Sequence, residues 1–370
     1  MVTRLIVKGS NLYDQLGDKV ILRGVNMGRM IDTPQGDWIT KTFYIQWVTY
    51  DTNTISDNMK GVKDWGCNCV RLLCTAEWWL NDSDNFRSKI AEICDIANRY
   101  GIYIAFNFWR VSGDETMDFP YPPYNQFEAS NLLISSKQDF VDLCVDVAEY
   151  LKDKPNVIFD LWNEPALSES PGGPGELSDW MSTCETIVNT IRNLGIETII
   201  AIEWNTTIAD KWQQPSRWGI DWIIDNHYRF EGKNVIYSPH MYRSGTNWIG
   251  SDYSVDQCES NLSYNCRLSE MKSQNFAIWF GEIGANLWYT GDDLTDELDW
   301  FENNLRAYNI LNCGYTVWLW WIVGQAFYTV IGPDYEPSTT GLIIQNVNRD
   351  TKINKTNYWR NKYKMWKNGA

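Results

Sequence analysis

Short runs of β-branched and aromatic residues alternate along the chain with longer stretches in which apolar residues recur every three or four positions. The runs are ILRGVN (21–26), CVRLL (69–73), IYIAFNF (102–108), VIFDLW (157–162), TIIAI (198–202), NVIYSPH (234–240), AIWFG (277–281) and GYTVWLW (314–320). They read as eight strands. Between them, Leu294, Leu298, Phe301, Leu305 and Tyr308 fall on one helix face, as do Leu177, Met181, Cys184, Ile187, Ile191 and Leu194. Phe140, Cys144 and Ala148 mark another helix, and residues 356–367 read as the last one, after the eighth strand. Repeated strand–helix units predict an α/β fold, a (β/α)8 TIM barrel. A doubly wound open sheet would want a Gly-rich phosphate turn after an early strand, and the sequence has none. Residues 5–22, with Gly17-Asp18 at the turn, predict an N-terminal β-hairpin closing the barrel bottom. No internal repeat or low-complexity linker interrupts the pattern, so residues 1–370 read as a single domain.

A chain of 370 residues can bury a full core without disulfide or metal staples. Its net charge of −15 argues against nucleic acid or an anionic membrane as the main partner. Residues 307–333 carry no charge and are long enough for a spanning helix. Their Asn, Gln and Gly residues and the alternation at their start predict a barrel strand and an aromatic loop instead. The excess of aromatics (21 Trp, 20 Tyr, 13 Phe) suits a groove where flat rings meet flat ligands. With only His227 and His240, and with Cys67 and Cys69 too close for a zinc knuckle, neither a metal nor a cofactor is predicted. Of nine Cys, several occupy apolar positions of helices or strands. Cys258 and Cys266 flank the polar stretch ESNLSYN and predict a surface disulfide.

Reactive groups of a barrel stand at the C-terminal ends of its strands. The fourth run ends in Trp162-Asn163-Glu164-Pro165 and the seventh in Gly281-Glu282-Ile283-Gly284. Two carboxyl groups facing each other over one mouth are what glycosidic bond cleavage requires. One, protonated, gives its proton to the leaving oxygen; the other, ionised, attacks or activates water. Either alone could be a helix N-cap, but that does not explain why both occur at strand ends among aromatics. Trp109 and Trp204, with Trp78, Trp79, Trp248 and Trp288, follow strands in candidate loops and could stack on pyranose faces. A row of such rings would make several sugar subsites and favour internal cleavage of a polymer.

WNEP on the fourth strand and GE on the seventh, among eight strands in the expected order, resemble glycoside hydrolase family 5 over roughly residues 5–350. The resemblance implies a retaining mechanism with Glu164 as acid/base and Glu282 as nucleophile. It implies that Arg71 holds the nucleophile ionised and that Asn163 bonds the sugar 2-hydroxyl. In SPHMY it implies that His240 contacts the substrate or the acid/base and that Tyr242 donates to the nucleophile. Trp318 matches the family's sugar platform; Trp320 is either a neighbouring contact or core. Asn26, at the end of the first strand, is expected at the rim as well. Where the family carries a His after the third strand, this sequence has Asn107, which can donate to a sugar hydroxyl but cannot carry a proton. That leaves the site less dependent on histidine protonation and suited to acid conditions. His227 has no counterpart and reads as surface.

The substrate implied is a β-1,4-linked polysaccharide, cleaved by a retaining endo-β-1,4-glucanase (cellulase), since GPDYEPSTTGLI resembles a segment of the family's cellulases. An endo-β-1,4-mannanase is the near alternative, because mannose differs only in its 2-hydroxyl. A non-catalytic carbohydrate-binding barrel would have no need of two opposed carboxylates. The chain reads as a monomer. Its first twenty residues lack the features of a signal peptide. A polymer-degrading activity meets its substrate outside the cell, so the expectation is an extracellular protein whose leader is already removed.

Overall fold

The computed structural model describes residues 1–27, 51–82, 85–110, 133–165, 177–203, 223–243, 253–320, 329 and 336–353. The chain opens with β1 (Ile6–Lys8), β2 (Asn11–Tyr13) and β3 (Lys19–Val20), an antiparallel meander with two turns where the sequence predicts a single hairpin. The extra turn sits at Gly9, whose φ of 58° lies in the left-handed region open to glycine.

The main sheet is parallel. It comprises β4 (Arg23–Met27), β5 (Cys69–Thr75), β6 (Tyr103–Arg110), β7 (Val157–Asp160), β8 (Ile199–Ile202), β9 (Val235–Tyr237), β10 (His240–Tyr242), β11 (Trp279–Gly284) and β12 (Gly314–Val317). Eight expected strands become nine segments because the sixth is interrupted at Ser238-Pro239, and proline has no N–H to give a ladder. Its first half, β9, pairs with β8, and its second half, β10, pairs with β11, placing His240 opposite Glu282. The Tyr237 N–H donates to the Ala277 carbonyl at 2.9 Å, and the Gly281 N–H to the Pro239 carbonyl at 3.0 Å. These bonds close the last gap, and β12 pairs with β4 to join the two ends of the chain. The result is a (β/α)8 barrel.

Helices α1 (Thr52–Asp64), α2 (Ala76–Asn81), α3 (Phe86–Tyr100), α4 (Lys137–Leu151), α5 (Leu177–Asn193), α6 (Val255–Ser260), α7 (Leu268–Ser273), α8 (Gly291–Leu311) and α9 (Thr339–Ile353) connect or follow the strands. Asp51 caps α1 by accepting from the N–H groups of Asn53 and Thr54, and Ser136 caps α4 by accepting from that of Asp139. Each such cap contributes ~1 kcal/mol. Outward strand residues such as Val70, Leu72, Phe106, Phe108 and Phe159 pack with the helices in one large core. Inward ones (Cys69, Tyr103, Ala105, Ile158, Ile199, Ala201, Ile236 and Trp279) form a second apolar cluster that Leu5, Leu12 and Leu22 seal from below. The meander therefore plugs the barrel bottom.

The predicted last helix at 356–367 lies outside the described residues. A helix does follow the eighth strand at α9, where Ile344, Val347 and Asn348 are buried. The Tyr315 hydroxyl donates to Asn348 at 2.8 Å, tying α9 to the barrel. No helix among the described residues is long and apolar enough to cross a membrane, and the uncharged stretch after 307 supplies the end of α8 and then β12.

The expected disulfide does not form: all nine cysteines are free thiols. Cys258 lies on the buried side of α6, and Cys266 follows the π-helical turn Asn261–Asn265 that continues it. Continuous helix at ~1.5 Å per residue separates the two by roughly 10–12 Å, against the ~4.4–6.8 Å between α-carbons that a disulfide spans. His227 is half-buried rather than on the surface. Its ring stacks on Phe276 with centroids 3.8 Å apart, and its Nδ1 meets the Tyr237 hydroxyl at 2.9 Å.

Candidate active site

Above the apolar plug, the inward alternation continues with polar side chains. Asn26, Arg71, Asn107, Asp160, Glu203, Ser238, His240, Glu282 and Thr316 are all buried. Arg71 stands at their centre. Its Nε donates to Asp160 Oδ2 (2.6 Å), and its Nη1 to Glu282 Oε1 (2.7 Å) and Asn26 Oδ1 (3.2 Å). Its Nη2 donates to Asn163 Oδ1 at 3.0 Å. A planar guanidinium fork suits this arrangement where a lysine would reach one partner at a time. Burial works against its charge, but Asp160, Glu282 and Glu203 outweigh that and hold Arg71 protonated.

Glu282 also accepts from the Tyr242 hydroxyl at 2.7 Å. Burial pushes its carboxyl up, while His240, Arg71 and Tyr242 pull it down and Glu164 adds to the upward push. Glu164 follows β7 with a φ of 42°, a left-handed conformation that costs a non-glycine residue energy. Its Oε1 lies 2.8 Å from His240 Nδ1, which is also 3.3 Å from Glu203 Oε1 and 3.5 Å from Glu282 Oε2. Burial lowers His240 to about 3, with Glu282 opposing and Arg71 assisting, so the ring is neutral at ordinary pH. Its Nε2 has no partner among the described residues. The single ring hydrogen is therefore assigned to Nδ1, where the carboxyl oxygens are. Gly281 makes room for this ring, since a Cβ there would stand 3.0 Å from His240 Nε2. The GE pair thus places a carboxylate with one residue and admits the imidazole with the other.

One guanidinium and one neutral imidazole serve the carboxyl groups of Glu164, Glu282, Asp160 and Glu203. Burying uncompensated charge is costly, and burial pushes up the carboxyls of Asp160, Glu203 and Glu282 alike. Burial therefore favours protonation across the layer. Such a site can present one protonated and one ionised carboxyl to a ligand at the same mouth.

Sequence reasoning missed Glu203 and Asp160. Glu203 had a signal: it follows TIIAI at the end of the fifth strand, the kind of position that singles out Glu164 and Glu282. Asp160 sits inside a run read as apolar. Asn107 is buried, and its Nδ2 donates to the Asp160 carbonyl at 3.4 Å. Asn26 accepts from Arg71, and its Nδ2 donates to the Gly281 carbonyl at 3.0 Å, so it braces the network.

Trp109 and Trp318 come together near the polar layer, with rings stacked at 19° and centroids 6.4 Å apart. Trp320 instead contacts Trp65 edge-on, and its indole N–H donates to Asn58 at 2.8 Å. The strand ends at Val317, so the two-residue period does not carry Trp320 to the side of Trp318. Trp79 is core: it is fully buried, edge-on to Phe106, with its indole N–H on Asp146 at 2.7 Å. Trp78 packs on Phe86, Trp288 is exposed, and Trp204 and Trp248 lie outside the described residues. Glu164, Glu203 and His240 each bring one ligand atom within 4.8 Å of the others. A cation there would have to displace the imidazole hydrogen that already bonds Glu164.

A (β/α)8 barrel with facing carboxyls at its mouth defines a class of glycosidase-like scaffolds, and comparison with known proteins narrows it. Residues 15–324 match the model of the cellulase family, glycosyl hydrolase family 5. The chain belongs to that family. It is 23% identical over 321 residues to endoglucanase A of Butyrivibrio fibrisolvens, covering 84% of this chain and 59% of that protein. It is 26% identical over 238 residues to endoglucanase C of Evansella cellulosilytica, covering 60% of this chain and 26% of that protein. The chain thus spans less than two thirds of the length of either relative. Among solved structures, a beta-glucanase from Saccharophagus degradans superposes with a TM-score of 0.68 at 16% identity, covering 95% of this chain and 94% of that one. A hyperthermophilic endocellulase from Pyrococcus horikoshii gives 0.66 at 18% identity, covering 94% and 99%. Likeness at this identity is likeness of fold.

Proposed function

We propose that the protein is a retaining endo-β-1,4-glucanase that acts outside the cell on cellulose-type glucans, with Glu164 as acid/base and Glu282 as nucleophile. The observation that carries this reading is the His240 bridge. Contacts of 2.8 Å to Glu164 and 3.5 Å to Glu282 from one nitrogen keep the two bridged oxygens no further apart than the sum of those distances. Two carboxyls that each bring an oxygen to one nitrogen suit the ~5–5.5 Å separation of retaining glycosidases better than the ~6.5–9.5 Å of inverting ones.

In the first step Glu282 attacks the anomeric carbon while Glu164 gives its proton to the departing glycosidic oxygen. The carbon–oxygen bond to the leaving sugar breaks as the glycosyl ester forms on Glu282. In the second step Glu164 takes a proton from water, whose oxygen displaces Glu282 from the same carbon. Arg71 and Tyr242 donate to Glu282 and favour its ionised form before attack and again as it leaves. Asn163, held by Arg71, sits one residue before the acid, within reach of the sugar's 2-hydroxyl. Stacked Trp109 and Trp318 offer flat apolar faces for the adjoining rings.

Support for a glucan comes from the relatives, which are named as endoglucanases, and from a structure of the Saccharophagus degradans beta-glucanase in complex with cellotetraose. The test is a product profile on carboxymethyl-cellulose, lichenan and mannan. Wild type is expected to release new reducing ends with a rapid fall in viscosity on a β-glucan and to leave mannan intact. The first sugar formed, read by proton NMR before mutarotation, is expected in the β configuration. Glu282→Gln is expected to lose activity on every substrate by several orders of magnitude. Activity surviving that substitution, or an α product, would sink the assignment.

A further inference from the structure

Glu203 is fully buried at the end of β8, on a different strand from either proposed catalytic carboxyl. Its Oε2 accepts from the backbone N–H of Glu164 at 2.6 Å. Its Oε1 lies 3.3 Å from the His240 Nδ1 that also holds Glu164. Its own backbone is fixed from behind, because the Trp180 indole N–H donates to the Glu203 carbonyl at 2.9 Å. A buried carboxyl is an expensive way to fill space: a leucine or methionine would pack without a desolvation cost. The N–H it grips belongs to a residue in the left-handed region, which needs a partner to stay there.

We propose that Glu203 is a positioning residue for Glu164: it clamps the strained backbone of the acid/base and steadies the imidazole shared with it, so that the proton is aimed at the glycosidic oxygen. The inference rests on the acid/base reading of Glu164 given above. In this role Glu203 acts through the residue it holds rather than on the sugar itself. Burial and the neighbouring Glu164 push the Glu203 carboxyl well up, with Arg71 pulling it down, and a neutral carboxyl accepts from the same N–H.

Aimed protonation matters in proportion to how badly the leaving group needs it. Phenyl β-cellobioside, a poor leaving group, depends on the acid; 2,4-dinitrophenyl β-cellobioside does not. The experiment measures kcat/KM for both substrates in wild type, Glu164→Ala, Glu203→Asp, Glu203→Ala and Glu203→Gln, with melting curves to establish folding. Asp withdraws the acceptor by about one carbon–carbon bond and Ala removes it. For these, a loss of ~10–100-fold on the phenyl substrate is expected, the size of a lost buried hydrogen bond to a charged or strained group. On the dinitrophenyl substrate the change is expected to stay below about threefold. Gln keeps an acceptor at the Glu164 N–H and is expected to retain the wild-type ratio of the two substrates. Equal losses on both substrates in Asp or Ala, no loss in either, or a selective loss in Gln would overturn the proposal. Should Asp and Ala fail to fold, the ratio in Gln decides. Glu164→Ala separates the two readings: without a leaving-group-dependent loss there, the acid/base assignment itself falls. With that loss present and the Glu203 variants unselective, only the positioning role falls.

Discussion

Replacing Arg71 by methionine tests whether the polar layer is held together by one cation. Methionine is shorter but fills much of the volume of the side chain, and it leaves Asp160 and Glu282 buried without the contacts of 2.6 and 2.7 Å that now compensate them. Removing one partner of a buried ion pair costs ~3–5 kcal/mol. For 370 residues, an unfolding entropy of about 2.1 cal/mol/K per residue makes each kcal/mol worth roughly 1.3 °C, so Tm is expected to fall by about 4–6 °C at neutral pH. The pH dependence gives the sharper signature. Burial already raises both carboxyls in the folded state, and losing Arg71 raises them further. A carboxyl raised on folding stabilises the fold fully below its unfolded pKa of ~4 and loses that contribution as pH climbs through the raised folded value. The deficit of Arg71→Met against wild type is therefore largest near neutrality and closes as pH falls toward ~4. Arg71→Lys keeps a charge but not the fork, and is expected to recover part of the deficit. Calorimetric melts of the three proteins between pH 4 and 8 provide the assay. A deficit of the same size at every pH, or a variant melting with wild type at pH 7, would refute the reasoning.

Tyr242→Phe removes a donor that favours ionised Glu282. Since burial already raises that carboxyl, the acid limb of kcat/KM is expected above the ordinary glutamate value in wild type and higher still in the variant, with the alkaline limb unmoved. A limb that stays put or moves to lower pH would contradict this; the direction also runs against the acid-suited site that Asn107 suggests from sequence. The cysteines give a prediction about stability. Cys67, Cys94 and Cys266 are pushed up to about 12 by burial, so thiol reagent is expected to label the native protein sparingly and to find all nine after denaturation. Reductant should leave the melting curve unchanged, and an intact mass short by two hydrogens would show that a bridge exists after all.

The barrel was legible because each strand carries its own burial pattern, and the eight runs fall where strands form. What the pattern could not reveal was the break in the sixth strand, since Ser238 and Pro239 interrupt hydrogen bonding without interrupting burial. Glu164, Glu282, Arg71, His240 and Tyr242 were readable as a set because strand ends and the family motif coincide there, and the structure brings all five together. Glu203 and Asp160 escaped for different reasons. Glu203 stands at a strand end but belongs to no motif, and Asp160 hides within VIFDLW, where a carboxyl makes sense only beside the guanidinium from another strand. The tryptophans were the least legible. A Trp after a strand can stack on a ring from another strand's end, as Trp109 and Trp318 do, or turn back under the helices, as Trp79 and Trp320 do. Which occurs depends on partners such as Asp146 and Asn58 that lie far off in sequence. The disulfide expectation failed because a polar stretch between two Cys was taken for a loop, whereas it continues a helix.

Two glutamates in one mouth can take opposite protonation states only if their surroundings differ, and since both carboxyls are buried, depth alone does not separate them. Glu282 receives a guanidinium N–H and a phenolic O–H, one on each oxygen. Glu164 receives the imidazole of His240, which it shares with Glu203 and Glu282. The guanidinium and the phenol tilt the balance toward an ionised Glu282, which is what the nucleophile proposed there needs. Asp160 limits this asymmetry by drawing on the same guanidinium through Nε. Both carboxyls draw on one guanidinium, so the aspartate buried in the fourth strand bears on the proposed nucleophile through Arg71.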